Sequence, residues 1–342
     1  MRFQLPAPNR YEALLETCGP ATGGLAPAMA MASRRARSQV RADSPRAAVI
    51  RDFAASVMGP TLVGYTLWLL QQARQHRLSR LYFLARDGEI LLRLARVLAA
   101  RLQMDCDLRY LYASRIAWGI PAIVRGDLTE MAWLLERDSG PDLNRPLTRL
   151  GLASVDLDAG LNQLGLTTAR RGVHFSPADR QTIKSDAFLD LIRPHLIQSA
   201  REKRRLLLGY LGAEGLLQDD RYAIVDVGWQ GTLQDCLARV LATQPAAMGA
   251  GLYFGLIRYA TDPEFGTKAA YFTDHQQNSG PQFPMPDLYY LIEIMCAGSE
   301  GTLTGFAADA PTARVRPQLQ QPRNGVVLDW GLPLLHETVQ RF

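Results

Sequence analysis

Cysteine is scarce and scattered in this 342-residue chain: Cys18, Cys106, Cys236 and Cys296 lie far apart, with no C-x-x-C pair. That spacing excludes a disulfide framework and reads as reduced, partly buried thiols in a cytosolic protein. Histidine is as sparse, and His76, His174, His195, His275 and His336 share no H-E-x-x-H or other ligand spacing, so no structural zinc is expected. Only three lysines (Lys184, Lys203, Lys268) stand among 38 basic residues. So lopsided a ratio follows a G- and C-rich genome rather than selection for forked anion recognition. Excess charge is nearly lacking too: the net +5 equals the surplus of eight arginines over three acids in residues 1–51. The rest of the chain is neutral, which excludes a general polyanion binder and leaves no nucleic-acid partner to expect. Neither G-x-G-x-x-G nor G-x-x-x-x-G-K-[ST] occurs, so dinucleotide and P-loop readings lose most of their support. No internal repeat of 20–50 residues is visible, and the first residues lack the positive–apolar–small pattern of a cleaved leader.

What is present is an ordinary folded composition, 47% apolar and 21% charged, long enough for one large domain or two modest ones. Residues 53–73 carry no charge and are nominally long enough to span a bilayer. The stretch nevertheless contains Ser56, Gly59, Pro60, Thr61, Gly64, Thr66, Gln71 and Gln72. It is read as a buried or half-buried helix that starts at Pro60 and turns Leu62, Tyr65, Leu69 and Leu70 to the core.

Before it, residues 1–50 are rich in Ala, Pro, Gly, Ser and Arg and read as a flexible basic arm. Its patch Ser33-Arg34-Arg35-Ala36-Arg37 could alternatively meet anionic lipid or a partner. An α/β core is expected over 51–115 and 216–310. Arg80–Ala85 reads as a buried strand, Glu89–Leu102 as an amphipathic helix (Ile90, Leu91, Leu94, Val97 and Leu98 inward), and Leu108–Ala113 as a second strand. The same logic returns with the strand Tyr222–Val227, the turn Gly228–Gly231, a helix from Thr232 to Ala242 and the strand Gly249–Leu256. The fold class is therefore α/β with a mainly parallel sheet. Between the halves, 116–215 reads as a helical insertion, with the charged run Arg201–Arg205 on a solvated helix face; 311–342 is a C-terminal extension.

In open parallel sheets, ligands gather at the carboxyl ends of the strands. Ala85-Arg86-Asp87-Gly88 and Asp226-Val227-Gly228-Trp229-Gln230-Gly231-Thr232 both fall there. In the second turn, backbone N–H groups, the Thr232 hydroxyl and a helix N-terminus make a phosphate cradle, with Asp226 placed for sugar hydroxyls or a metal ion. A plain tight turn capped by Asp226 fits the same residues. In the first, Arg86 and Asp87 suit an oxyanion with Mg²⁺ held through water, or else form a local ion pair at a helix start. Arg115, after Ser114 at the end of the second strand, could add a forked contact to phosphate.

These turns, within Tyr82–Gly88, Tyr110–Arg115 and Val225–Thr232, resemble the type I phosphoribosyltransferase fold. They look most like the glycan phosphoribosyltransferases of bacterial polysaccharide assembly, which often stand beside HAD-like phosphatases. The resemblance spans roughly 55–115 and 216–305. It implies transfer of 5-phosphoribose from phosphoribosyl pyrophosphate (PRPP) to a sugar hydroxyl of a lipid-linked glycan, with Mg²⁺ at Asp87 and Asp226. It also implies a separate HAD-like phosphatase that finishes the ribofuranose. Cytoplasmic placement, peripheral at the inner membrane, follows from a lipid-linked acceptor. The chain departs from ordinary type I enzymes: Asp226 is followed by Val227 rather than a second acid, and the phosphate loop is short. Leaving of pyrophosphate makes an oxocarbenium-like ribose, which asks for cations on the leaving group and a base near the acceptor. Asp226, Asp87 and Glu293 are the candidate bases, Trp229 could stack on a sugar ring, and Trp118, Trp133 and Arg145 mark the insertion as a place for the acceptor. Two rival readings stand beside this one. The first is a HAD-type phosphatase using Asp226, weakened because D-x-D-x-[TV] is missing and Gly228 stands where the second acid should be. The second is a non-catalytic phosphosugar-binding module.

Overall fold

A computed structural model describes residues 5–131, 147–148, 150–152, 155–167, 176–281, 286–310 and 312–342. Five strands, β1 (Arg80–Leu84), β2 (Asp107–Leu111), β3 (Tyr222–Asp226), β4 (Ala250–Leu256) and β5 (Lys268–Asp274), form one parallel sheet in the order β2-β1-β3-β4-β5. β1 is thus bonded to β2 on one side and β3 on the other, and the chain leaves these two central neighbours in opposite directions. Two further strands, β6 (Leu303–Ala308) and β7 (Val315–Leu319), make a separate antiparallel ribbon.

Alternation along the strands divides the core between the two faces of the sheet. Leu81, Phe83, Ala223, Val225, Leu252 and Phe254 pack on one side. The helices there are α4 (Gly59–Gln75), α5 (Gly88–Arg101), α11 (Pro286–Met295) and α13 (Leu332–Arg341). Tyr82, Leu84, Leu111, Tyr222 and Ile224 pack on the other, against α6 (Arg115–Gly119), α9 (Asp186–Ala213) and α10 (Thr232–Leu241). The α5 stripe differs from expectation at one position: Val97 is 55% exposed, while Ile90 and Leu91 are fully buried.

α4 ends a longer helix, Pro45–Gln75, in which α3 (Pro45–Phe53) joins it through a π-helical turn. This helix is long and apolar enough to cross a membrane, yet 56% of its apolar stretch is buried within the protein. Leu62, Tyr65, Leu69 and Leu70 have no exposure at all. The Tyr65 hydroxyl reaches the backbone carbonyls of Asp226 (2.9 Å) and Leu252 (3.0 Å), so the helix grips the carboxyl end of β3.

The expected loose arm is instead folded over its described residues. α1 (Arg10–Thr17) and α2 (Leu25–Gln39) pack together around Glu12, which is fully buried. Its carboxylate accepts from Ser33 Oγ (2.5 Å), Arg37 Nη2 (2.6 Å) and the Asn9 N–H (2.8 Å). Ser33, Ala36 and Arg37 of the basic patch are therefore spent inside the protein rather than offered to lipid. Burial pushes the Glu12 carboxyl up, but hydrogen bonds from Arg37, Ser33 and Asn9 outweigh it and hold the group below the usual glutamate value.

The described part of the insertion has its own apolar cluster, including Ile120, Leu161, Phe188, Ile192 and Leu196. α7 (Asp158–Gln163), α8 (Pro177–Thr182) and α9 belong to it. Trp118 is wholly buried and donates its ring N–H to the Tyr112 carbonyl (3.2 Å), so it cannot receive an acceptor; Trp133 and Arg145 lie outside the described residues. The 201–205 run is not uniformly solvated either. Arg204 turns inward, donating to the carbonyls of Pro121 (2.7 Å) and Ile123 (2.5 Å).

The Glu12–Arg37 pair yields a stability prediction. Arg37→Ala strands a buried carboxylate and should cost about 3 kcal/mol in urea unfolding. Because the folded Glu12 is more acidic than the unfolded one, the lost stabilisation is the part present above the unfolded carboxyl range and shed as pH falls. The wild-type–variant gap should therefore close on acidification; a pH-independent gap would remove Glu12 as its cause.

Candidate active site

The loops after β1, β2 and β3 open into one cleft of about 670 Å³, a size that suits a small phosphorylated ligand. Ala85, Arg86 and Asp87 line it from the first loop, Ser114 and Arg115 from the second, and Asp226, Gly228, Trp229, Gln230, Gly231 and Thr232 from the third. Glu293 enters from α11. Of the turn positions named from the sequence, Gly88 and the buried Val227 do not line the cleft. Gly88 lies where a Cβ would press on Phe83 (2.7 Å to its carbonyl carbon), so it lets α5 start tight against β1.

Three helices begin at this cleft: α5 after Asp87, α6 after Ser114 and α10 after Gly231. Ser114 Oγ caps α6 by accepting from the Ala117 N–H (3.0 Å), whereas no side chain caps α5 or α10. Their first N–H groups and dipoles face the cavity, and with Arg86 and Arg115 they make it receptive to anions.

Close packing shapes both main turns. Gly228 sits at φ 139° where any Cβ would run into the Gly255 carbonyl. Gly231, at φ 65°, leaves room for Lys268, whose Cε would lie 2.7 Å from an added Cβ. No local pattern singles out Lys268 as part of the site. Its side chain is 1% exposed, pairs with Asp235 in the first turn of α10 (2.9 Å) and donates to the Ala260 carbonyl (2.8 Å), supporting the glycine turn from beneath. Arg86 holds a left-handed φ of 69°, unusual for a residue with a Cβ, and its N–H donates to Tyr110 Oη (2.9 Å). The loop 297–302 clamps the other side. Gly298 comes so close that a Cβ would stand 2.6 Å from Arg86 Cα. Glu89 accepts from the Ser299 N–H (2.7 Å) and Oγ (2.8 Å), and Glu300 accepts from Tyr112 Oη (2.9 Å).

Asp87 and Asp226 are half-buried and line the cleft. Desolvation, then repulsion from Asp226 and Glu293, pushes Asp87 up to about 8 against the pull of Arg86. Desolvation and Glu293 push Asp226 up to about 7, against the Val227 N–H (2.8 Å), the Gly228 N–H and Arg115. The Cys296 thiol beneath is raised by burial and then by Asp87, Asp226 and Glu293, so all three acids act on one spot. Carboxyls whose pKa lies near neutrality can take a proton from a hydroxyl. Glu293 is less available, since its Oε1 accepts from Trp229 Nε1 (3.2 Å). Trp229 is packed on Tyr289 (ring centroids 4.4 Å) and edge-on to Phe254, so it is both core and cleft wall.

Magnesium fits this donor set in one specific sense. Among the described residues no group of three His, Cys, Asp or Glu is arranged to cage a metal. Hard carboxylates pressed together beside anion-binding N–H groups are nonetheless what Mg²⁺ uses when phosphate and water complete its shell.

Sequence reasoning missed the fourth wall. Tyr290, Ile294, Gly298 and Thr302 line the cleft, as do Asn324 and Val327 from the segment read as a plain extension. Comparison with protein-family models and with curated proteins finds no match to this chain.

The raised carboxyls set a pH signature. An acid whose folded pKa exceeds its unfolded one costs stability as pH rises from the unfolded value near 4 to the folded value near 7–8. Asp226→Asn, free of ligand, should therefore melt about 2–4 °C above wild type at alkaline pH, with little difference at pH 4. Melting curves that stay parallel across this range would contradict the buried pair.

Proposed function

We propose that the chain is a phosphoribosyltransferase moving 5-phosphoribose from PRPP to a sugar hydroxyl of a lipid-linked bacterial glycan. One observation carries the reading: three helix N-termini, two arginines and three carboxyls line a single cleft between neighbouring parallel strands. Anion-receptive backbone alone would suit any phosphate. Anion-receptive backbone beside crowded acids suits a ligand with two phosphorylated ends, a divalent cation and an acceptor hydroxyl to deprotonate.

In this reading the turn Ala85–Asp87 with Arg86 and Arg115 receives the pyrophosphate, and Gly228–Thr232 with the start of α10 receives the 5-phosphate and ribose. Mg²⁺ held through water by Asp87 and Asp226 would neutralise charge on the pyrophosphate. The bond from ribose C1 to the pyrophosphate oxygen breaks, and C1 bonds to the acceptor oxygen. The acceptor's proton passes to the Asp87–Asp226 pair and then to solvent. The arginines stabilise charge where it grows on the leaving group, and the closed turns keep donor and acceptor aligned. Trp229 offers its cleft edge to the acceptor sugar. The product keeps its 5-phosphate, so a separate HAD-like phosphatase would act next, and the acceptor would be met on the cytoplasmic side of the inner membrane.

Purified chain incubated with PRPP, Mg²⁺ and a synthetic lipid-linked disaccharide should release pyrophosphate and add a phosphopentose to the acceptor. Arg86→Ala and Arg115→Ala should each lower kcat/KM by about 10²–10³-fold, and Asp226→Ala should abolish transfer with an unchanged circular dichroism spectrum. Hydrolysis of phosphate esters without transfer would instead favour a phosphatase. Tight PRPP binding with no turnover would leave a binding module.

A further inference from the structure

A second hollow, of about 340 Å³, lies where the edge strand β2, the C-terminal end of α9 and the start of β7 come together. Three tyrosines wall it: Tyr110 on β2, Tyr112 just beyond that strand and Tyr210 on α9. Tyr110 and Tyr112 stand edge to face with ring centroids 5.3 Å apart at 84°, and Tyr112 and Tyr210 lie 6.4 Å apart at 63°. All three hydroxyls are engaged within the protein. Tyr110 Oη accepts from the Arg86 N–H (2.9 Å), Tyr112 Oη donates to Glu300 (2.9 Å) and Tyr210 Oη accepts from the Tyr112 N–H (2.9 Å). The rings are fixed by their polar tips, and ring surface is what remains for a ligand.

The charged side chains of the hollow are in the opposite condition. Glu214, just after α9, and Arg314, just before β7, make no side-chain hydrogen bond or ion pair among the described residues. Arg316 lines the hollow too but pairs with Asp309, so one free acid and one free cation leave it close to neutral. That balance favours neither an anion nor a cation. A carboxylate only accepts hydrogen bonds and a guanidinium only donates them, whereas a hydroxyl does both and can answer either. A sugar carries several hydroxyls on a ring whose C–H groups pack against the negative face of an aromatic. No two neighbouring tyrosines are parallel, so a flat base finds no slot between them, while a puckered ring can touch both at once.

We infer that the hollow between β2, α9 and β7 is a second ligand site that binds a neutral saccharide. The tyrosine rings receive the C–H face of the sugar, and Glu214 and Arg314 hold its hydroxyls from the rim. The same rings back the main cleft: Tyr110 holds the backbone of Arg86, which lines it, and Tyr112 holds Glu300 in the loop that clamps it. A sugar seated here therefore lies against the cleft's own wall rather than on a remote surface. The inference does not use the donor assignment, and its test contains no PRPP, so either can fail alone.

Saturation-transfer NMR titrations of the full chain with maltotriose and with N,N′-diacetylchitobiose, neutral glycans of a hexose and an N-acetylhexosamine, read this directly. At least one should saturate with a Kd below about 10 mM. Glu214→Ala combined with Arg314→Ala should weaken it about tenfold or more with unchanged circular dichroism, because neither side chain supports the fold. Tyr112→Phe, which keeps the ring and loses only the bond to Glu300, should bind as wild type, and Tyr112→Ala should not bind. Asp226→Asn, in the main cleft, should also bind as wild type. No saturation by either glycan overturns the inference, as does a Glu214–Arg314 double variant that binds like wild type. Loss of binding in Asp226→Asn alone overturns it too, because the sugar would then sit in the main cleft. So does adenosine or L-phenylalanine binding here in place of both glycans.

Discussion

β1 and β3 are hydrogen-bonded neighbours whose chains leave in opposite directions, and the site depends on that arrangement. Where two adjacent parallel strands part this way, no crossover covers the gap at their carboxyl ends, and a crevice remains. Asp87 and Asp226 come from the turns directly beyond those ends and so share its floor. Hydrogen bonding between the strands holds their ends side by side, so the two turns open into the same cleft. Tyr65, bonded at the Asp226 carbonyl, adds a dry prop on the side away from the cleft.

The result is a cavity with opposed electrical demands. Helix N-termini and arginines make it receptive to anions, while burial, then Asp226 and Glu293, raise the cost of ionising Asp87, and burial with Glu293 raises that of Asp226. A cavity that only bound phosphate would have no use for the acids, and one that only held a cation would not need the arginines. A phosphate ester entering with a cation would ease both tensions together, which is why the proposed donor suits the charge pattern better than either part alone. The strain is contained by rigid supports: the left-handed Arg86 is wedged between Tyr110 and Gly298, and the Gly231 turn rests on the buried Lys268–Asp235 pair.

The outer wall explains how such a site could meet a large acceptor. The segment after β7 does more than extend the chain. α13 packs Leu335 and Val339 into the core, and α12 (Gly325–Trp330), carried with it, stands at the cleft mouth with Val326 and Trp330 exposed. One short helix thus links the cleft to the surface outside it.

Periodic burial made much of the core legible in advance. Tyr82-Phe83-Leu84 and Ile224-Val225 are continuous apolar runs because both sheet faces are covered, and Leu62, Tyr65, Leu69 and Leu70 recur at helical spacing. β5, β6 and β7 were not legible: β5 is an edge strand with little buried surface, and β6 pairs only with β7, which carries Pro317 where a strand pattern is normally broken. The arm was misread because its composition resembles a disordered segment, whereas a single buried glutamate organises it through partners 21 and 25 residues away. The same limit applied at the site. By itself the sequence determined which turns carry acids, arginines and glycines, since turn chemistry and strand ends are local. Only the tertiary structure decided that Asp87, Asp226 and Glu293 meet, that Trp118 is sealed inside, and that Asn324 and Val327 close the cleft. Strand order and the docking of distant helices depend on burial summed over the whole chain, which no local pattern records.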